Sequence, residues 1–131
     1  MILGFDPGRD KCGLAIVNNN QILYNQVVSS EEAITTIVNL IQEYKPSKLV
    51  MGNQTTSKQW KQKLQDKLNL SIDIVLVDEK NSTVEAREKY WEMYPPQGLT
   101  KFIPKGLRIP PRPVDDIVAV ILIERFDNST D

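Results

Sequence analysis

The sequence predicts an α/β fold built on a mixed β-sheet, in which three antiparallel strands come first and α/β units follow. Short apolar runs at residues 2–5, 13–17 and 22–28 are separated only by turn-forming residues, which is typical of strands joined as hairpins. Farther along, apolar runs at 48–52 and 72–77 alternate with stretches of helical periodicity. Such alternation indicates parallel strands joined by crossover helices, with helices on both faces of the sheet.

The first half of the chain carries signals for a hairpin and a helix. The sequence NNNQ at 18–21 predicts the connection between the second and third strands. Ser29 and Glu32 have the spacing of a capping box, which marks a helix N-terminus. Apolar residues follow at helical spacing until Pro46 stops the pattern. We therefore expect a helix between the third and fourth strands.

Two further helices are expected before the last element. Residues 57–68 are mostly polar, with apolar side chains at four-residue steps, and predict a surface helix. Ser82 and Glu85 form a second capping-box pair. The helix that this pair opens is expected to run to about Met93.

The last element, VDDIVAVILIERF at 114–126, fits two interpretations. Its β-branched residues favour a strand, whereas its length and the first-turn acids Asp115 and Asp116 favour a buried helix. We predict the helix. Three hairpin strands, then α/β units and a final helix, are the layout of ribonuclease-H-like folds.

Composition restricts the classes of function. With 131 residues the chain is expected to form one domain, residues 1–131. The net charge of −1 means that nucleic-acid binding would need a local basic patch. A single cysteine, Cys12, excludes an intramolecular disulfide and a cysteine zinc cluster. No apolar run reaches the ~18–20 residues that span a bilayer, and no signal-peptide pattern opens the chain, so we expect a cytoplasmic protein without a membrane partner.

The chain contains no histidine. This absence excludes Ser-His-Asp and Cys-His catalysis, and it removes histidine as a metal ligand and as a general base. An enzyme with this composition would depend on carboxylates, lysines and a metal ion held by oxygen atoms.

Three carboxylates stand where such a site would form. Asp6 and Glu79 each follow an apolar strand, and Asp115 begins the last helix. Ligand sites in open α/β sheets lie beyond the carboxyl ends of the strands. If the three acids converge, they form an oxygen cage suited to Mg²⁺ or Mn²⁺, and two such ions can promote phosphodiester hydrolysis. Taken singly, Asp6 could be a turn residue, Asp115 an N-cap and Glu79 a solvated side chain.

Three blocks resemble the YqgF group of RuvC-like nucleases, which have the ribonuclease-H fold. DEKNSTVEAR at 78–87 is similar to the group's DER-x-STxEA block, and VDDIVAVILIE at 114–124 resembles its V-D-(x3)-A-(x2)-I-L helix. The opening, Asp6-x-Gly8 followed by Gly13 and Ala15, resembles its D-x-G-(x4)-G-x-A element. The blocks occur in the group's order and extend over nearly the whole chain.

The resemblance implies that Asp6, Glu79 and Asp115 are metal-binding catalytic acids of an endonuclease. It implies Mg²⁺ or Mn²⁺ as cofactor, in a two-metal site. The substrate would be structured nucleic acid, either a four-way (Holliday) DNA junction or the precursor of small-subunit ribosomal RNA. A symmetric junction would suggest a homodimer, whereas trimming of ribosomal RNA would not require more than a monomer.

The chain also departs from the group's pattern. After the fourth strand the group has Gly-Leu-Pro, and RuvC has a catalytic glutamate nearby, but here residues 52–55 read GNQT and contain no acid. Lys11 and Lys80 replace preferred arginines, although lysine can still contact phosphate as a point charge. These departures keep a second hypothesis open, a catalytically inactive nucleic-acid-binding module of the same fold. A nucleotide-binding relative of the actin and hexokinase fold is disfavoured because the chain is too short for two lobes.

Residues 94–114 form a segment that we call the proline-rich arm. It holds six of the eight prolines and no acid, and its local charge of +4 leaves −5 for the rest of the chain. We predict that it binds phosphates and that Phe102, with Tyr94 at the base of the arm, stacks on bases. A solvated loop with its aromatic side chains packed onto the core is the alternative. The predicted nucleic-acid-binding residues are the arm's four cations and the two lysines near the acids: Lys101, Lys105, Arg108, Arg112, Lys11 and Lys80.

Overall fold

The computed structural model describes residues 1–54, 56–68 and 72–129, and these residues form one mixed sheet with the strand order β3-β2-β1-β4-β5. Its strands are β1 (Ile2–Asp6), β2 (Lys11–Asn18), β3 (Gln21–Ser29), β4 (Lys48–Gly52) and β5 (Asp73–Val77). The first three are antiparallel neighbours, and β4 and β5 run parallel to β1. The predicted α/β fold with three leading antiparallel strands is therefore confirmed.

Helices cover both faces of the sheet, as predicted. They are α1 (Ala33–Tyr44), α2 (Ser57–Leu68), α3 (Ser82–Met93) and α4 (Asp115–Ser129). The helices α1 and α2 pack on one face, and α3 and α4 on the other. The proline-rich arm connects α3 to α4 and contains short 3-10 turns at Gly98–Phe102 and Lys105–Leu107. Within the described residues, none of the helices combines the length and the apolar character needed to cross a membrane.

The predicted hairpin between β2 and β3 is present. Asn19 and Asn20 have φ angles of 51° and 66°. Positive φ at both central residues is the geometry of a type I′ turn, which matches the twist of the two strands and which Asn tolerates better than most residues.

Both predicted helices are present, and α3 ends at Met93 as expected, but neither capping box forms as predicted. Strand β3 continues to Ser29, which pairs with Lys11 of β2, so α1 begins only at Ala33. Ser29 Oγ accepts a hydrogen bond from the Glu32 amide at 3.3 Å, but within a turn that precedes the helix. At the start of α3 the described N-cap residue is the left-handed Asn81, and it makes no side-chain cap hydrogen bond.

The last element is a helix, and its apolar composition reflects burial on almost all sides. Residues 116–123 are buried without interruption. The backbone of α4 lies directly on the sheet at two glycines, since a Cβ on Gly13 would overlap the Asp115 carbonyl and one on Gly4 would lie 2.5 Å from the Ala119 carbonyl oxygen. Gly13 is also the register partner of Asp6 in the β1–β2 ladder. This close approach brings the N-terminus of α4 beside the end of β1.

Replacing Gly13 with alanine should therefore destabilise the protein. The added methyl group can be accommodated only if α4 moves off the sheet, so we expect Gly13→Ala to lower the free energy of unfolding by about 3 kcal/mol. Gly106→Ala is the matched control, because no described heavy atom lies within 4 Å of a Cβ at that position. Urea unfolding of both variants measures the difference, and equal stabilities would show that α4 does not depend on this contact.

Candidate active site

Three predicted acids meet at one edge of the sheet. Asp6 ends β1, Glu79 lies two residues beyond β5, and Asp115 is the first residue of α4. Strands β1, β4 and β5 are parallel, so their carboxyl ends share this edge. Side chains in a strand alternate between faces, and Asp6 therefore points to the same face as Gly4, the face that α4 covers. Asp6 lies within hydrogen-bonding reach of Asp115.

Gln54, just after β4, connects two of these acids. Its Nε2 donates to Asp6 Oδ1 at 3.1 Å and to Glu79 Oε2 at 2.7 Å. Only the amide nitrogen can donate to a carboxylate, so both donors of the side chain are directed into the site. The sequence offered one signal for this residue, the departure from the Gly-Leu-Pro pattern, but no indication of its contacts.

The site concentrates negative charge in a buried position. Asp6 is only 8% exposed, and burial, followed by the charges of Asp115 and Glu79, raises its pKa from 3.8 to about 8. The Gln54 amide opposes part of this rise. The pKa of Asp115 is also raised, first by burial and then by the charge of Asp116, while Lys11 acts in the opposite direction. Among the described residues, no salt bridge involves Asp6, Glu79 or Asp115.

The chemistry of these donors fits a divalent cation, although the acids do not form a closed cage. Carboxylate oxygens are the ligands that Mg²⁺ and Mn²⁺ prefer, and a cation would offset the mutual repulsion that, after burial, contributes to the raised pKa of Asp6. In the described part of the chain, no group of three or more Cys, Asp or Glu side chains is arranged to hold a metal ion. The amide of Gln54 lies between Asp6 and Glu79 and donates to one oxygen of each.

The neighbouring Asp116 has a different environment from Asp115. It is 1% exposed and accepts hydrogen bonds from Arg112 Nη1 at 2.9 Å and from Asn25 Nδ2 at 2.7 Å. The Arg112 guanidinium also lies 5.4 Å and 5.6 Å from the ring centroids of Tyr90 and Tyr94. Arg112 thus has an internal ion-pair partner and anchors the end of the proline-rich arm to α4. Its contact with nucleic acid stays a prediction.

The other predicted basic residues fall into two groups. Lys11 and Lys80 are exposed beside the acids, because Lys11 opens β2 near Asp115 and Lys80 follows Glu79. The remaining three, Lys101, Lys105 and Arg108, lie in the arm, away from the acids in the sequence.

Within the proline-rich arm, Arg108 organises the backbone. Its guanidinium donates to the carbonyl oxygens of Ile103 at 2.8 Å and Lys101 at 3.1 Å. Phe102 is 74% exposed and Leu99 is 85% exposed, so these side chains point into solvent instead of packing onto the core. The arm therefore presents exposed apolar side chains next to the exposed ammonium groups of Lys101 and Lys105.

Arg125 of α4 holds the loop that carries Glu79. Its guanidinium donates to the carbonyl oxygens of Asp78 at 2.8 Å and Lys80 at 2.7 Å, on both sides of Glu79. It also forms a 2.8 Å salt bridge with Glu85 of α3. No sequence pattern indicates this role of Arg125, since its partners are 40 to 47 residues distant in the sequence.

Comparisons with known proteins agree with this architecture. A family model described as "RuvX: Holliday junction resolvase" matches residues 1–126. The fold is similar to that of Thermus thermophilus RuvC, with a TM-score of 0.59 and 12% identity over 98% of this chain and 96% of that one. It is also similar to T. thermophilus RuvC in complex with Holliday junction substrate, with a TM-score of 0.55 and 16% identity over 92% of this chain and 88% of that one. At these identities the likeness shows the fold, which is ribonuclease-H-like as predicted. No curated protein matches the sequence.

The raised pKa of Asp6 predicts how stability depends on pH. The folded protein keeps a proton on Asp6 between pH 3.8 and about 8, whereas the unfolded chain does not. The resulting stabilisation is complete below about pH 4 and is lost as the pH rises through about 8. Asp6→Asn retains a neutral donor and should be more stable than wild type at pH 9, by up to about 6 kcal/mol.

Urea unfolding between pH 4.5 and pH 9, with a chelator present, tests this prediction. Asp10→Asn, at an exposed acid in the same loop, is the control and should follow the wild-type profile. If Asp6→Asn and wild type lose stability equally over this range, Asp6 does not titrate as inferred.

Proposed function

Because the chain belongs to the RuvX family of Holliday junction resolvases, we propose that it is a nuclease that uses divalent cations to hydrolyse phosphodiester bonds in structured nucleic acid. In this proposal Asp6, Glu79 and Asp115 hold Mg²⁺ or Mn²⁺. The observation that carries it is the meeting of these acids at one edge of the sheet, where burial, followed by the charges of Asp115 and Glu79, raises the pKa of Asp6 to about 8. Such a cluster is costly unless a cation compensates for it.

The protein's own groups would prepare the site for the cation and the substrate. When bound, the cation would activate water and stabilise the leaving oxygen. The carboxyl of Asp6 must release its proton before it can bind the ion, and its burial keeps bulk water away from that oxygen. Lys11 and Lys80, exposed beside the acids, would contact the phosphates that flank the scissile bond.

The proline-rich arm would bind the nucleic-acid backbone. Lys101 and Lys105 are exposed, whereas the guanidinium groups of Arg108 and Arg112 have internal partners. Phe102 stands in solvent beside Lys101, whose Nζ lies 5.5 Å from the centre of its ring, and a base could stack on the ring. We therefore assign the phosphate contacts of the arm to its two lysines and a stacking contact to Phe102.

A four-way DNA junction is the first substrate to test. The description of the family supports it, and RuvC from T. thermophilus has a fold similar to this one and a structure with a Holliday junction. A symmetric junction would favour a homodimer with one site for each cleaved strand. The precursor of small-subunit ribosomal RNA is the second substrate, for which a monomer would suffice.

One observation favours an alternative function, a binding module that no longer cleaves. Gln54 donates to both Asp6 and Glu79, and the segment around it lacks the acid that RuvC has in that neighbourhood. Such a module would bind branched or structured nucleic acid without needing a cation. The cleavage assay below distinguishes the two functions.

Asp6→Asn should abolish cleavage while leaving binding largely intact. Loss of a charged metal ligand removes several kcal/mol of transition-state stabilisation, so we expect the cleavage rate to fall about 1,000-fold. Radiolabelled junction and precursor RNA are incubated with Mg²⁺, Mn²⁺ or chelator, and binding is measured separately by gel shift.

Asp10→Asn is the control for the loss of a nearby exposed carboxylate, and it should cleave at the wild-type rate. An Asp6→Asn variant that cleaves as fast as wild type would contradict the mechanism. Binding that survives chelation, with no cleavage of either substrate by the wild type in either metal, would identify the binding module instead.

The lysines of the proline-rich arm should determine how binding depends on salt. Each phosphate contact on duplex DNA contributes about 0.9 to the slope of log K against log salt concentration. Lys101→Ala combined with Lys105→Ala should therefore reduce that slope by about 1.8. The control pair is Lys63→Ala with Lys67→Ala, which removes the same charge from exposed positions of α2 on the other face of the sheet. An unchanged slope in the arm variant would exclude the arm from phosphate binding.

A further inference from the structure

Gln54 directs both N–H groups of its amide to two acids of the proposed cation site. The distances are 3.1 Å from Nε2 to Asp6 Oδ1 and 2.7 Å from Nε2 to Glu79 Oε2. Hydrogen bonds between a neutral donor and an ionised carboxylate are stronger than those between neutral groups. A small cation shared by Asp6 and Glu79 would need the same space and the same oxygen atoms.

The surrounding backbone holds Gln54 and Glu79 in this arrangement. The amide of Asn53 donates to the Val77 carbonyl at 3.1 Å, so the chain remains tied to β5 up to the residue before Gln54. Gly52 leaves room for the Glu79 carboxylate, since a Cβ there would lie 2.7 Å from Glu79 Oε2. From the other side, Arg125 fixes the backbone around Glu79. The bridge is thus supported from both ends.

We propose that Gln54 gates the cation site: its amide links Asp6 to Glu79, and it must release both carboxylates before a divalent ion can bind them. This inference rests on the proposed function. The amide holds the carboxylates near each other but carries no net charge, so it compensates for them less completely than a cation does. Gating lowers the affinity for the cation, because the hydrogen bonds must break before the ion binds.

An opposite role for Gln54 is testable on the same residue. After a half-turn of its amide, Oε1 could itself become a ligand, since amide carbonyls do coordinate hard cations. In that case removal of the side chain would weaken cation binding. The geometry favours the gate, because Nε2 faces both carboxylates.

The test is a titration with Mn²⁺ alone, followed by electron paramagnetic resonance of the free ion at pH 8.5. Gln54→Met keeps the length of the side chain and removes both donors. We expect it to bind Mn²⁺ about tenfold more tightly than wild type, equivalent to about 1.4 kcal/mol. Gln62→Met is the matched control, because Gln62 donates to the Asp66 carboxylate at 3.0 Å on exposed α2, and its Mn²⁺ affinity should equal that of wild type.

A second variant separates the gate from a ligand. Gln54→Glu replaces the N–H donor with a carboxylate, whose oxygen atoms can bind the ion. This variant should therefore bind Mn²⁺ at least as tightly as Gln54→Met. Weaker binding by Gln54→Met together with tighter binding by Gln54→Glu would identify position 54 as a ligand position and overturn the gate. Equal affinities of Gln54→Met and wild type would also overturn it.

The proposed function fails in a different way from the gate. Two results would show that the acids are not a cation site: Asp6→Asn binds Mn²⁺ as tightly as wild type, or wild type and both Gln54 variants bind none. Either result would contradict the gate as well as the proposed function. If wild type binds Mn²⁺ through Asp6 and Gln54→Met binds it no better, only the gate is wrong. Circular dichroism checks the fold of each variant, and Gln54→Ala gives the same readout should Gln54→Met not fold.

Discussion

The close packing of α4 on the centre of the sheet is the constraint on which the rest of the structure depends. Gly4 and Gly13 allow the helix backbone to touch β1 and β2 at the Ala119 and Asp115 carbonyls, one helical turn apart. Because Gly13 pairs with Asp6, the contact that seats the helix also sets the distance between Asp6 and Asp115. The buried apolar side of α4 therefore stabilises an arrangement of acids that repel one another.

The same helix organises the remaining polar groups around the site. Asp115 and Asp116 are adjacent, yet Asp115 joins the acid cluster while Asp116 is held by Arg112 at the end of the proline-rich arm. Near the end of the helix, Arg125 holds the loop on both sides of Glu79. A rotation of α4 would disturb all three contacts together, so the geometry of the site is coupled to the position of a single helix.

Sequence patterns predicted the elements and the three acids because those features are encoded locally. Apolar periodicity, and acids that follow a strand or begin a helix, are visible without knowledge of distant contacts. Asp6, Glu79 and Asp115 became candidates in this way, and their role as metal ligands stays a prediction. The first capping box failed because strand pairing included Ser29, a tertiary effect that spacing alone does not reveal, whereas the second failed because the left-handed Asn81 is the N-cap residue of α3. The contacts of Gln54 and Arg125 were not predicted because their partners lie 25 to 48 residues away. Neither glutamine nor arginine is by itself a sign of a residue that holds acids or loops in place. Composition also could not show that Phe102 points into solvent.

The negative charge of the acid cluster can be compensated in three ways, and not all three can operate at once. A proton on Asp6 removes one charge, the Gln54 amide offers two donors without charge, and a divalent cation would satisfy two carboxylates at once. The first two are mutually compatible, whereas the third requires the proton to leave and the amide to withdraw. Because a ligand that binds only the folded state stabilises that state, a cation at this site would couple folding, proton release and the position of Gln54. Gln54, which lies in the segment that departs from the family's Gly-Leu-Pro pattern, is thus placed where it can set how readily a metal ion replaces the internal compensation of the site.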